Sequence, residues 1–364
     1  MLKILKAASI LIGTIIGVGI FGLPYIAKES NLYLVIFYLL VLGLLTTTVH
    51  WFYAEIIISS RSKERLISYI KKYLGEKYSL VAKFTVLFSL LGALLAYIIV
   101  SGIFIEALFG INHLWGSLLF FVLGSVAIFL GLKTVSWLEL IMTAFLLLIM
   151  LVLTATSFPY INLDNFLSFN FNNFFLGYGV VLFALAGLTA IPEMAELLRH
   201  NRRELKISVI LGTLLPVFLF IVFTAIVFGV TGKETTPEAL IGLGRSINGM
   251  ALGIGLWFGL LALYTSYIAI GLDIKNIFSY DFKLSSTLSW ALTSFIPLSA
   301  FLLGLRNFIA IIGFLGAIFG AGSGIFVALV YGKVKKKKLW PILITLIFAL
   351  GMIYEIYRRF TPSF

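Results

Sequence analysis

Eleven apolar stretches, each about as long as a bilayer core is thick, follow one another along this 364-residue chain. They lie at roughly 5–27, 31–58, 80–109, 114–132, 135–158, 174–197, 206–231, 249–273, 285–303, 307–331 and 339–357. In lipid every backbone polar group needs an internal partner, so this pattern predicts an all-α, polytopic membrane protein with eleven spans. The charged fraction of 12% and a mean hydropathy of +1.11 exclude an ordinary soluble domain. The first stretch follows Lys3 and Lys6 like a signal peptide, but it lacks a small-residue cleavage site, so it reads as a retained helix. Cysteine is absent, which removes disulfides and thiolate metal sites from consideration.

The net charge of +12 reads as a topology signal before it reads as nucleic-acid binding. With the N-terminus in the cytoplasm, 21 of the 27 basic residues fall on the inner side, so the N-terminus is expected inside and the C-terminus outside. Residues 59–78 are expected to form a short amphipathic surface helix that turns Leu66, Ile67 and Ile70 toward lipid or protein. The run KVKKKK at 333–338 suits a topology anchor or a contact with anionic lipid headgroups. Two longer connections, 159–173 and 232–248, are expected on the outer side.

Within this frame the first span is costly. Gly13 to Pro24 reads GTIIGVGIFGLP, four glycines and a proline where a continuous helix would be cheaper. It suits either a small-residue packing face, with Gly13 and Gly17 as a GxxxG pair, or a broken helix lining a binding site. The sixth span repeats the pattern, Gly187 preceding Pro192 as Gly17 and Gly19 precede Pro24. If spans one to five and six to ten are two units, the odd number inverts the second unit in the membrane, and the breaks fall on the first helix of each. The expected division is 1–158 for the first repeat, 159–332 for the second and 333–364 for an accessory span with a short tail.

The segments GTIIGVGIFGLPY (13–25), LFALAGLTAIPEM (182–194) and ALYTSYIAIGLD (262–273) resemble the amino acid/polyamine/organocation superfamily. Within it the chain looks most like the aromatic and hydroxy amino acid permeases and the related amino acid/auxin permeases. The resemblance implies the five-plus-five inverted-repeat fold of the bacterial leucine transporter over spans one to ten. It also implies a permease of the cell membrane that imports an amino acid by cation symport through alternating access. An amino acid sensor on the same fold, or an ion channel, is the alternative. No HExxH, central aspartate pair or histidine pair supports an enzyme.

A half-helix starting near Gly19 offers free N–H groups and a positive dipole end to a carboxylate, and carbonyls near Ile16, Phe183 and Ala184 suit an ammonium group. Gly17, Val18, Gly19, Tyr97, Phe183, Ala184 and Gly187 are therefore the expected substrate-binding residues. The resemblance implies that Tyr97 lends its hydroxyl to the carboxylate, as an equivalent tyrosine does in relatives. The absence of charge in mid-span points to a neutral, aromatic or large apolar side chain. The carbonyls of Gly13, Ile16 and Ala262 with the hydroxyls of Thr265 and Ser266 resemble the sodium site of this fold. Proton coupling stays open beside sodium, and a Thr or Ser in a span also bonds to its own preceding turn. Glu193 is the expected proton carrier or gate partner. His50, His113 and His200 are expected near span ends, forming no relay.

Overall fold

The computed structural model describes residues 1–60, 65–131, 136–167, 174–246 and 249–360. Among them the chain is helical throughout its regular structure. It begins with α1 (Leu2–Ile15), α2 (Gly19–Glu29), α3 (Leu32–Ser60), α4 (Leu66–Leu74), α5 (Glu76–Phe109), α6 (His113–Leu130), α7 (Ser136–Ser157) and α8 (Leu176–Ala184). It continues with α9 (Ala190–Leu197), α10 (Arg202–Thr231), α11 (Leu240–Gly244), α12 (Gly249–Asn276), α13 (Ser286–Leu302), α14 (Phe308–Phe314), α15 (Ala321–Lys335) and α16 (Leu339–Phe360). A π turn, Leu315–Gly320, joins α14 to α15, so that 308–335 runs as one span.

Eight helical stretches of the described residues are long and apolar enough to cross a bilayer, and α1 with α2 makes a further span bent by 54°. The chain is thus a multi-pass membrane protein. Of the eleven expected spans, the sixth is divided into α8 and α9 and the ninth is the 17-residue α13, all shorter than a full crossing. Of the expected surface helix at 59–78, residues 61–64 lie outside the described residues and α4 covers Leu66–Leu74, with Leu66, Ile67, Tyr69 and Ile70 buried. Gly75, at φ 102°, then turns the chain into α5. In the two longer connections, whose residues 168–173 and 247–248 lie outside the described residues, turns of 3-10 helix cover Phe158–Tyr160 and Leu163–Leu167, and α11 lies between α10 and α12.

The bundle is held by close helix contacts. Phe52 of α3 stacks on Tyr331 of α15 with ring centroids 3.7 Å apart. α8 meets the π turn backbone to backbone, where a Cβ on Gly316 would overlap the carbonyl of Gly179. α16 packs on α15 at Gly324, over which the ring of Phe348 lies. One end of the bundle, the basic end, carries Arg65, Arg202 and Lys335. There Glu55, 2% exposed, takes Arg202 Nε at 2.5 Å and Lys335 Nζ at 2.6 Å, tying α3, α10 and α15 together. Lys335, part of the expected lipid anchor, therefore has a partner inside the protein.

Candidate functional site

Helix α1 ends where Ile16 leaves helical geometry (φ −81°, ψ 80°), and α2 resumes at Gly19. The carbonyls of Ile16 and Gly17 accept no backbone hydrogen bond among the described residues, and the N–H groups of Gly19 and Ile20 find no backbone acceptor. The break therefore presents acceptors and donors within a few residues. Between α8 and α9 the five residues 185–189 are non-helical. The Phe183 carbonyl there accepts the Ala186 N–H at 3.2 Å, while those of Ala184, Leu185 and Ala186 accept none. The free acceptors of the second break thus lie just past Phe183.

Neither proline makes its break. Pro24 lies inside α2, and Pro192 is the third residue of α9, in the first turn, where an N–H has no helical partner anyway. Pro192 therefore frees no backbone group beside Glu193.

Both breaks face one cavity of about 720 Å³, which runs to Arg65, Asp273 and Asn276 at the basic end. Gly17, Val18, Gly19, Tyr97, Phe183 and Gly187 line it, and so do Gly13, Ile16, Ala262, Thr265 and Ser266. Glu193 lines it as an exposed residue of α9, away from the buried centre. Ala184 does not line it. That residue is 2% exposed and backs onto Gly19, where a Cβ would stand 2.6 Å from the Ala184 Cα. Packing and site-lining thus coexist in this stretch: Gly19 lets α2 meet α8, and Gly17 makes room for the Tyr97 hydroxyl.

The hydroxyl of Tyr97, 3% exposed, lies beside the side chain of Ser266 and the backbone of Val18, so one phenol stands between the first break and α12. Thr265 donates to the Ala262 carbonyl of its own turn at 3.1 Å. Facing Gly13 from α7, the buried hydroxyl of Thr143 has no hydrogen-bond partner among the described residues.

Three cavity-lining groups escaped the sequence reading. Arg65 and Asp273 form an ion pair of 3.1 Å at the basic end of the cavity. His50 sits in the interior of α3, 2% exposed, with Nδ1 3.0 Å from Thr213 Oγ1 of α10. This corrects its expected place near a span end. An imidazole inside a span is itself a signal, because burying a polar group there is costly.

On the far side of the breaks the helices close. Phe21 of α2 packs edge-on against Phe104 of α5 at 5.1 Å and Phe223 of α10 at 6.2 Å. The cavity is therefore accessible from the basic end, with an aromatic cluster opposite.

The fold recurs in solved structures. MhsT in complex with L-phenylalanine superposes with a TM-score of 0.65 at 16% identity, covering 97% of each chain. A manganese transporter from Eremococcus coleocola gives 0.63 at 13%, covering all of this chain and 89% of that one. The inward-facing conformation of Mhp1 gives 0.57 at 13%, covering 98% and 91%. At these identities the likeness is one of fold. In sequence, the chain is 22% identical over 339 residues to the tyrosine-specific transport system 1 of Haemophilus influenzae, covering 87% of this chain and 84% of that protein. It is 20% identical to glutamine transporter 2 of Aliivibrio fischeri, covering 87% and 85%. Residues 1–356 match the tryptophan/tyrosine permease family as a whole. With nearly its full length matched, two broken helices and a shared cavity between them, the chain belongs to the tryptophan/tyrosine permease family.

Proposed function

We propose that this protein is a secondary active amino acid transporter that imports a neutral amino acid, aromatic or large and apolar, by symport with Na⁺ or H⁺. The observation that carries the reading is the convergence of two helix breaks, with their free N–H groups and carbonyls, on one cavity closed at the opposite side by Phe21, Phe104 and Phe223. Backbone dipoles of opposite sign suit a zwitterion without charged side chains. A cavity reaching one face only suits alternating access rather than a channel.

In this reading α8 with α9 is the sixth span and α13 the ninth, giving eleven spans, a five-plus-five inverted repeat and α16 as the accessory helix. The basic end is cytoplasmic, the N-terminus inside and the C-terminus outside, so the cavity faces inward. Gly19 and Ile20 take the carboxylate, Tyr97 supports Val18 at the break, and Phe183 and Gly187 bound the side-chain region. Oxygens of Gly13, Ile16, Ala262, Thr265 and Ser266 are all of the type that holds Na⁺, and we assign the coupling ion to them. Glu193 guards the inner vestibule. The names of the relatives, one tyrosine-specific and one for glutamine, support a neutral substrate.

Uptake of labelled tyrosine, tryptophan, phenylalanine and glutamine into proteoliposomes, under an inward sodium or proton gradient, tests the reading. Concentrative uptake under at least one gradient is expected. None under either, from folded protein, sinks it.

A further inference from the structure

We infer that His50 is the specificity-determining residue of the cavity, and that it selects a hydroxylated aromatic side chain over the same ring without its hydroxyl. This rests on the transport reading above. The edge of the imidazole lies against the second break: a Cβ built on Gly187 would stand 3.2 Å from His50 Cε1. One ring nitrogen is engaged, Nδ1 at 3.0 Å from Thr213 Oγ1. The other, Nε2, has no hydrogen-bond partner among the described residues, yet is not sealed from the cavity that His50 lines.

A polar atom open to the cavity is stranded when a bound ligand covers it without supplying a partner, and is paired when the ligand carries a hydroxyl there. Thr14 and Thr46 share the cavity, but each donates to a carbonyl of its own helix, Ile10 and Leu42, at 2.8 Å. Their hydroxyl hydrogens are already placed, and the imidazole is not so saturated. Either tautomer of His50 is compatible with Thr213, leaving Nε2 as an acceptor or a donor. A phenol hydroxyl does both, so it pairs with either form.

The direction of the substrate follows from the packing. Ala184 is held against Gly19 at the backbone site, and Gly187 comes three residues later, toward His50. The half-buried Phe183 and the imidazole line the same cavity as the breaks, and we place the substrate side chain, extending from the breaks toward the basic end, against His50. Sites that hydrogen-bond a substrate hydroxyl discriminate against the analogue lacking it, because the site's own polar group is then stranded.

The test is competition of unlabelled tyrosine and phenylalanine against labelled tyrosine in proteoliposomes, read as the ratio of their half-inhibiting concentrations. The wild type is expected to favour tyrosine by about tenfold, the worth of one good hydrogen bond. His50→Leu should bring the ratio to within about twofold, whatever the absolute rate, and His50→Gln should retain part of the preference. Should His50→Leu fail to fold, Thr213→Val, which removes the group that orients the ring, is expected to lower the same ratio. An unchanged ratio in the folded variants overturns the inference and leaves the transport function standing. Absence of uptake for every amino acid by the wild type overturns both.

Discussion

Gly17 lies directly under the hydroxyl of Tyr97, so close that a Cβ at position 17 would overlap the phenol oxygen. The contact joins the middle of α5 to the first break, and the same oxygen reaches Ser266 of α12. Gly17→Ala is therefore expected to displace the phenol and lower uptake by about tenfold or more, as misplacement of a binding group does. Tyr97→Phe removes the colliding atom. The double variant should recover part of the loss seen in Gly17→Ala alone, and simple additivity in proteoliposome uptake would refute the coupling.

The glycines of the first span should not behave alike. At Gly19 a methyl meets backbone, 2.6 Å from the Ala184 Cα, so Gly19→Ala should cost about 1–3 kcal/mol of stability. At Gly13 the nearest atom to the new methyl is Thr143 Oγ1 at 3.9 Å. Gly13→Ala should be neutral or stabilise by about 0.5 kcal/mol, because alanine is the better helix former. Thermal unfolding in detergent compares the two.

If sodium is the coupling ion at the assigned oxygens, Thr265→Ala should raise the sodium concentration for half-maximal uptake about tenfold, and Thr265→Ser should leave it within about twofold. A hydroxyl serving only the Ala262 carbonyl would leave sodium activation unchanged in both variants.

Glu55 carries two cations on a buried carboxylate. Glu55→Ala strands Lys335, whose side chain is 28% exposed, and is expected to cost about 3 kcal/mol, seen as a drop in Tm. Arg202→Ala removes a partner that is 68% exposed, and should cost about 0.5 kcal/mol.

The chain contains no cysteine, so a single introduced thiol reports its own side of the membrane without background. In whole cells an impermeant maleimide should label Lys233→Cys, while Lys337→Cys should react only after permeabilisation. The reverse pattern would invert the assigned orientation.

Much of this site was legible from residue order. The end of α1 near Ile16 and the restart at Gly19 follow from a glycine cluster in an otherwise apolar span, because backbone irregularity at membrane depth needs a reason. Pro24 and Pro192 misled: Pro192 sits in the first turn of α9, where a proline costs little, and Pro24 is carried inside α2 without ending it. What stayed hidden was rotation. α3 is apolar on nearly every side, so its periodicity says that it crosses the bilayer but not that His50 turns toward Gly187. The partners of Gly19 and Gly17, Ala184 and Tyr97, are remote in sequence, and no local pattern pairs them. Likewise the acidic end of the 249–273 stretch, Asp273, gave no sign that Arg65 would meet it.

The seam between Gly179 and Gly316 has a mechanical corollary. Main chain rests on main chain there, with no side chain between them that can change rotamer. Such a joint neither slides nor tilts by small repacking, so α8 and the 308–335 span travel as one strut. Any swing that opens the opposite face must be taken up by the non-helical residues 185–189, the one articulation left between that strut and α9.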